Sequence, residues 1–146
     1  MRNVILKFVL LNPFIDNLFI NIFDTHNLFQ LLLLLFIIFH YCTHNTNKII
    51  TICRKTFPSL RATVLRDFLQ ILNNYHIYKD EFHNKSNSEY NLFGNLIEFT
   101  SLDQSQKIRG RKRDLLFINE GNELYWEDWQ QLIFRTQERI ILDFNP

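Results

Sequence analysis

Leu115-Leu116-Phe117-Ile118-Asn119-Glu120 is the stretch on which the fold turns. A short apolar run with no polar alternation is the pattern of a strand buried on both faces, as in a parallel sheet covered by helices. Asn119 and Glu120 then fall at its carboxyl end, where open parallel sheets form their ligand crevice. Working outward, Arg139 to Asp143 (RIILD) repeats the pattern. Between the two runs, Tyr125, Trp126, Trp129, Leu132 and Ile133 share one helical face. Glu127 and Asp128 near its start and Arg135 near its end match the helix dipole. Upstream, Ile49 to Cys53 (IITIC) is a further short strand. Pro58 suits the first turn of a helix whose apolar positions, Leu60, Val64, Leu65, Phe68, Leu69 and Leu72, continue to about Asn74. Tyr90 to Phe93 and Asn95 to Ser101 read as a hairpin around Gly94. Asn84 to Ser88 is a polar turn, and Ile77 to His83 is ambiguous. Strands alternating with helices predict an α/β fold with a mostly parallel sheet and flanking helices.

Composition narrows the chemistry. The chain has 146 residues and a net charge of +1, which excludes a strongly basic nucleic-acid binder but not a local basic patch. Its three glycines, Gly94, Gly110 and Gly121, all lie in the C-terminal part, so nothing earlier suits a tight phosphate-binding loop. Cys42 and Cys53 are too few and too separated for a disulfide framework, and a reducing intracellular compartment is the default. His40, Cys42 and His44 lack a fourth ligand of suitable spacing, so no metal site is expected. Residues 1–36 form an atypical hydrophobic segment. Leu31 to Phe39 is apolar all round, while Leu28 to Cys42 falls short of the roughly 20 residues of a membrane span. A signal peptide fits poorly, because the apolar core starts late and no small-residue cleavage site follows. A buried helix, a membrane segment and an out-of-frame product of AT-rich DNA remain as readings.

Four hydrophobic residues followed by a polar-acidic pair also match the Walker B pattern of P-loop ATPases, in which the final Glu activates the water that attacks the γ-phosphate. The surroundings extend the match. Gly110, Arg113 and Asp114 precede the strand. Asn122-Glu123, Gln131 and Arg135 follow it, and Asp143-Phe144-Asn145-Pro146 closes a second strand. Together with CRKTFPSLRATVLRDF from Cys53 to Phe68, these blocks resemble the ATPase domain of phage terminase large subunits of the PBSX prophage type. The resemblance covers about residues 37–146, from the second strand through Walker B to the coupling motif.

That resemblance implies a partial P-loop NTPase-like sheet and, in the intact family, ATP and Mg²⁺ as cofactors. It implies double-stranded phage DNA, the terminase small subunit and the portal protein as partners, in the cytoplasm of a bacterial host carrying the prophage. Glu120 takes the place of the catalytic glutamate, and Asn119 that of the Mg²⁺-associated residue. Asp143 and Asn145 take the coupling-motif positions. Arg54 and Arg135 are candidates for nucleotide or neighbouring-subunit contact, and Arg111, Lys112 and Arg113, with Lys107 and Arg109, for DNA phosphates. One departure dominates: the family's GxxxxGK[ST] loop is missing, since Asn17 to Thr25, where it is expected, holds neither Gly nor Lys. By the same resemblance, these residues are not expected to include the family's nuclease domain. The expectation is a truncated packaging ATPase that is not competent alone. Two alternatives stand beside it: a small membrane-anchored protein with a soluble head, and a non-catalytic module binding DNA or the motor. If Val4 to Leu11 fills the place of the P-loop strand, it pairs parallel to Ile140 to Asp143, with Leu28 to Tyr41 as its covering helix.

Overall fold

The computed structural model describes residues 27–104 and 111–143. Lys107, Arg109, Asn145 and the Val4 to Leu11 pairing lie outside the described residues. Helix α1 (Asn27–His44) leads into strand β1 (Ile49–Arg54). Helix α2 (Phe57–Leu60) runs through a π-helical turn (Arg61–Leu65) into α3 (Arg66–Asn74). Strands β2 (His83–Asn84), β3 (Glu89–Leu92) and β4 (Asn95–Ser101) follow, then β5 (Arg113–Ile118), α4 (Trp126–Ile133) and β6 (Thr136–Leu142). The strands form one six-stranded sheet in the order β2-β3-β4-β1-β5-β6. Strands β4, β1, β5 and β6 are parallel, while β3 runs antiparallel to β4 and β2 to β3. The expected mostly parallel α/β architecture is therefore present.

Strand periodicity sorts the apolar side chains onto two faces. Ile50, Ile52, Phe99, Leu115, Phe117 and Ile141 share a core with α1 and the α2–α3 segment. Cys53, Leu116, Ile118, Ile140 and Leu142 pack instead with Leu132 of α4. Each fully buried Leu, Ile or Phe stabilises the fold by roughly 1.5–3 kcal/mol.

The apolar run of α1 resolves as a covering helix. Leu35, Ile38, Tyr41 and Cys42 are buried against the sheet, whereas Phe36 is 67% exposed. Residues 35, 38 and 42 recur at helical spacing, so the helix has a sheet-facing side that its composition hides. Among the described residues no helix is long and apolar enough to cross a membrane. The aromatic stripe that leads into α4 is only partly buried. Leu132 is buried, but Tyr125 and Trp126 remain 66% and 69% exposed, because only the second half of the stripe reaches the sheet.

The β3–β4 hairpin closes through Phe93 and Gly94, with φ of 51° and 77°. Positive φ at both central positions is the type I′ geometry that two-residue hairpins favour, and Gly94 adopts it without a Cβ clash. Phe93 therefore belongs to the turn rather than to the strand. Asn95, fully buried, fastens this turn to α1. Its Nδ2 lies 3.1 Å from the Cys42 carbonyl oxygen, 2.7 Å from that of Asn45 and 3.3 Å from those of Leu92 and Phe93. Its Oδ1 accepts from the Lys48 amide at 3.1 Å.

At the amino ends of β1, β5 and β6 the polar groups saturate one another. Lys48 bridges Asp114 at 3.4 Å and also pairs with Glu138. Asp114 accepts from the Ile49 amide at 2.8 Å, and the Tyr41 hydroxyl donates to Glu138 at 2.6 Å. Desolvation opposes ionisation of Glu138, but the bonds from Lys48 and Tyr41 outweigh it and hold the carboxyl below its ordinary range.

Candidate functional site at the carboxyl edge of the sheet

The opposite edge is built differently. Where β5 ends, the Asn119 amide donates to the Cys53 carbonyl of β1 at 2.9 Å. The Asp143 amide donates to the Ile118 carbonyl at 2.9 Å, and the Gly121 amide to the Asp143 carbonyl at 2.7 Å. These backbone bonds fix Asn119 beside Asp143, and Asn119 Nδ2 donates to Asp143 Oδ2 at 2.8 Å inside the protein. The two residues are only 6% and 5% exposed. Among the described residues, Asn119 Oδ1 and Asp143 Oδ1 are buried without a hydrogen-bond partner. Leaving a buried acceptor unmatched costs about 1–3 kcal/mol, so the fold holds acceptor capacity in reserve here.

Asp143 responds to that setting. Burial raises its carboxyl, the nearby Glu120 charge adds to the effect, and the Asn119 bond and Arg54 only partly offset them, leaving it at about 6. Glu120 follows Asn119 directly and turns the chain out of the strand with φ 57° and ψ 53°, the left-handed region. For a residue with a Cβ this costs roughly 1–2 kcal/mol. The turn leads through a short 3₁₀ segment, Gly121–Glu123, toward α4.

Arg54 closes the site from the end of β1. Its Nη1 donates to Thr63 Oγ1 at 3.1 Å, and its Nη2 lies 3.7 Å from Glu123 Oε1. Its Nε is buried with no partner among the described residues. Next to it, Lys55 Nζ lies 4.6 Å from the centroid of the exposed Tyr125 ring. At the end of β4, Ser101 donates to Asp103, which also accepts from the Phe57 amide at 3.2 Å. Thr63 and Glu123 enter the sequence reading only as members of the resembling blocks, with no site role, and Asp103 not at all, because only the parallel register of β4, β1 and β5 brings their segments to one edge.

The candidates thus divide by strand polarity. Arg54, Asn119, Glu120 and Asp143 share the carboxyl edge. Arg111, Lys112, Arg113 and Arg135 lie at the amino end of β5 and β6, where the Arg113 amide donates to the Arg135 carbonyl at 3.0 Å. Arg135 is exposed there, remote from the edge that carries Asn119. Arg111 reaches back over the sheet to Glu98 at 2.9 Å and Glu89 at 3.3 Å. Lys112 is exposed, whereas Arg113 is 1% exposed and offers no surface to a polyanion. Burial lowers the Arg113 proton affinity, with Glu98 acting in the other direction. The expected surface basic cluster therefore loses Arg113 to the interior. Cys42 and Cys53 are inert thiols, each pushed up to about 12 by burial.

No protein-family model and no curated protein matches this chain. Solved structures do. The large terminase of a thermophilic bacteriophage superimposes with a TM-score of 0.61 at 16% identity, over 74% of this chain and 30% of that one. A crystal form of the same terminase in complex with ADP gives 0.57 at 18% identity, over 73% of this chain and 28% of that one. The chain thus spans less than a third of the length of these neighbours. What it shares with them, at this level of identity, is the fold: a six-stranded α/β sheet like that of part of a phage large terminase.

Proposed function

We propose that this chain is a portion of the ATPase part of a phage large terminase, spanning the Walker B strand and the coupling strand, with its nucleotide-facing residues at the carboxyl edge of the sheet. One observation carries the reading: the buried Asn119–Asp143 pair, with an unmatched oxygen on each residue, on neighbouring parallel strands and beside Glu120. A structural cap would leave its acceptors satisfied, whereas a ligand site leaves them open. The ADP bound by a terminase of the same fold supports a nucleotide as the ligand class.

In this reading Glu120 accepts a proton from the water that attacks the terminal phosphate, and the partly exposed carboxylate sits where water reaches it. Asn119 Oδ1 and Asp143 Oδ1 fit acceptors for the water shell of Mg²⁺, which would supply charge neutralisation to the phosphates. Arg54, braced by Thr63 and Glu123, places a cation at the same edge. Asp143 and its bond to Asn119 link the Walker B strand to β6, the arrangement a coupling motif needs in order to pass on a change at the phosphate. The sequence contains no GxxxxGK[ST] loop, so no lysine of that kind cradles the β and γ phosphates. Turnover by the isolated chain is accordingly not expected. Double-stranded DNA, the small subunit and the portal are the partners this assignment brings. A non-catalytic DNA-binding role finds less support, since Arg111 is paired and Arg113 is buried.

Titration of the isotope-labelled chain with Mg-ADP tests the assignment by amide NMR. Weak binding, with Kd on the order of 1 mM, is expected. The shifts should centre on Arg54, Asn119, Glu120 and Asp143, and Asp143→Ala should abolish them. Absence of shifts at these residues at tens of millimolar nucleotide would sink the reading.

A further inference from the structure

Further along the same edge of the sheet from Asn119 and Asp143, a cavity of about 370 Å³ opens between the α2–α3 segment and the β2–β3 turn. Phe57, Leu65 and Leu69 supply its apolar walls, and Arg61, Lys85 and Ser88 its polar rim. The helix that forms one wall is interrupted at this place by the π-helical turn Arg61–Leu65. Such turns displace side chains from the regular α register and gather at functional sites.

Charge and shape together specify a ligand. Lys85 is paired with Asp80 at 2.7 Å, so that pair is neutral. Arg61 has no ion-pair partner among the described residues, which leaves the rim with a net positive charge. A guanidinium beside an ammonium and a hydroxyl is donor chemistry suited to a phosphate. The apolar walls include one aromatic ring, suited to the face of a base. The volume falls within the range of small-ligand pockets.

We infer that this groove binds a nucleotide, with its phosphate on Arg61, Lys85 and Ser88 and its base against Phe57 and Leu69. The same chemistry is offered by a free nucleoside monophosphate and by the 5′-phosphorylated end of a DNA strand. The groove and the Asn119–Asp143 site report through different residues, so either can fail without the other.

Amide NMR titrations of the full chain with AMP, adenosine, inorganic phosphate and a 5′-phosphorylated tetranucleotide test it. AMP should shift Phe57, Leu69 and Ser88 and bind at least tenfold more tightly than adenosine or phosphate. Arg61→Ala and Leu69→Asn should each weaken it at least fivefold while leaving the unliganded spectrum folded. Tighter binding of the tetranucleotide than of AMP identifies a strand end as the ligand, and equal or weaker binding identifies the free nucleotide. Shifts confined to Asn119 and Asp143, or AMP binding unchanged by Arg61→Ala, overturn the inference.

Discussion

The two ends of strands β1, β5 and β6 carry similar residue types and treat them in opposite ways. At the amino end, Lys48, Asp114, Glu138 and Tyr41 satisfy one another, and the Ile49 amide completes the set. At the carboxyl end, Asn119 and Asp143 share one bond while, among the described residues, each keeps an oxygen without a partner, and Arg54 keeps an unmatched Nε. Backbone direction accounts for part of the contrast. Parallel strands bring their carboxyl ends, and the turns that follow them, to one crevice. The remainder is chemical: a closed network holds the strands in place, and an open one leaves capacity for something to bind.

The contrast predicts opposite responses to removing charge. The Asp143 carboxyl stands at about 6 in the folded chain against an ordinary value of 3.8, so the folded state holds this proton more tightly than the unfolded state. Its favourable contribution is complete below about 3.8 and is lost as pH rises to about 6, a difference on the order of 3 kcal/mol. Asp143→Asn is therefore expected to stabilise the unliganded chain at pH 8 by on the order of 2 kcal/mol and to change little at pH 4. Urea denaturation at the two pH values measures this, and destabilisation at pH 8 would contradict the picture of an open site.

At the other end the sign reverses. Lys48→Met leaves Asp114 and Glu138 facing each other without their shared cation. Because Lys48 and Glu138 are both partly exposed, solvent screens much of the loss, and a destabilisation of about 1–2 kcal/mol is expected. Equal stability of Lys48→Met and the parent chain in urea melts would remove the distinction between the ends.

The smallest effect concerns the backbone. Glu120→Gly relieves the left-handed conformation but adds freedom to the unfolded chain, so the net gain should be no more than about 1 kcal/mol. A thermal melt that falls instead of rising would mean that the Glu120 side chain contributes contacts that outweigh its strain.

How far the sequence could be read follows from which forces are local. The cores of β1, β5 and β6 were legible because a strand buried on both faces writes its burial as an unbroken apolar run. Asn119 and Asp143 were legible as the polar residues that end two of those runs. The face of α1 was not, since a helix that is apolar all round gives no moment from which to choose Leu35 over Phe36. The π-turn at Arg61–Leu65 left no mark either, because the same apolar spacing suits a regular helix. The fate of Arg113 depends on register: a shift between β5 and β6 at Arg113 to Leu115 accompanies its burial, and no local rule anticipates that. The bracing of Arg54 by Thr63 and Glu123 joins residues from separate segments, which only the assembled sheet makes neighbours.

At Asn95 a single buried amide gathers carbonyls from the end of α1, from the loop that follows it and from the β3–β4 turn, while its oxygen secures the chain just before β1. Freeing any one of these segments strands a polar group of the others away from water, so local opening of one raises the cost of keeping the rest closed. Helix α1 and the hairpin therefore behave as one cooperative unit. Their amides should exchange hydrogen together despite the 50 residues of sequence between Asn45 and Asn95.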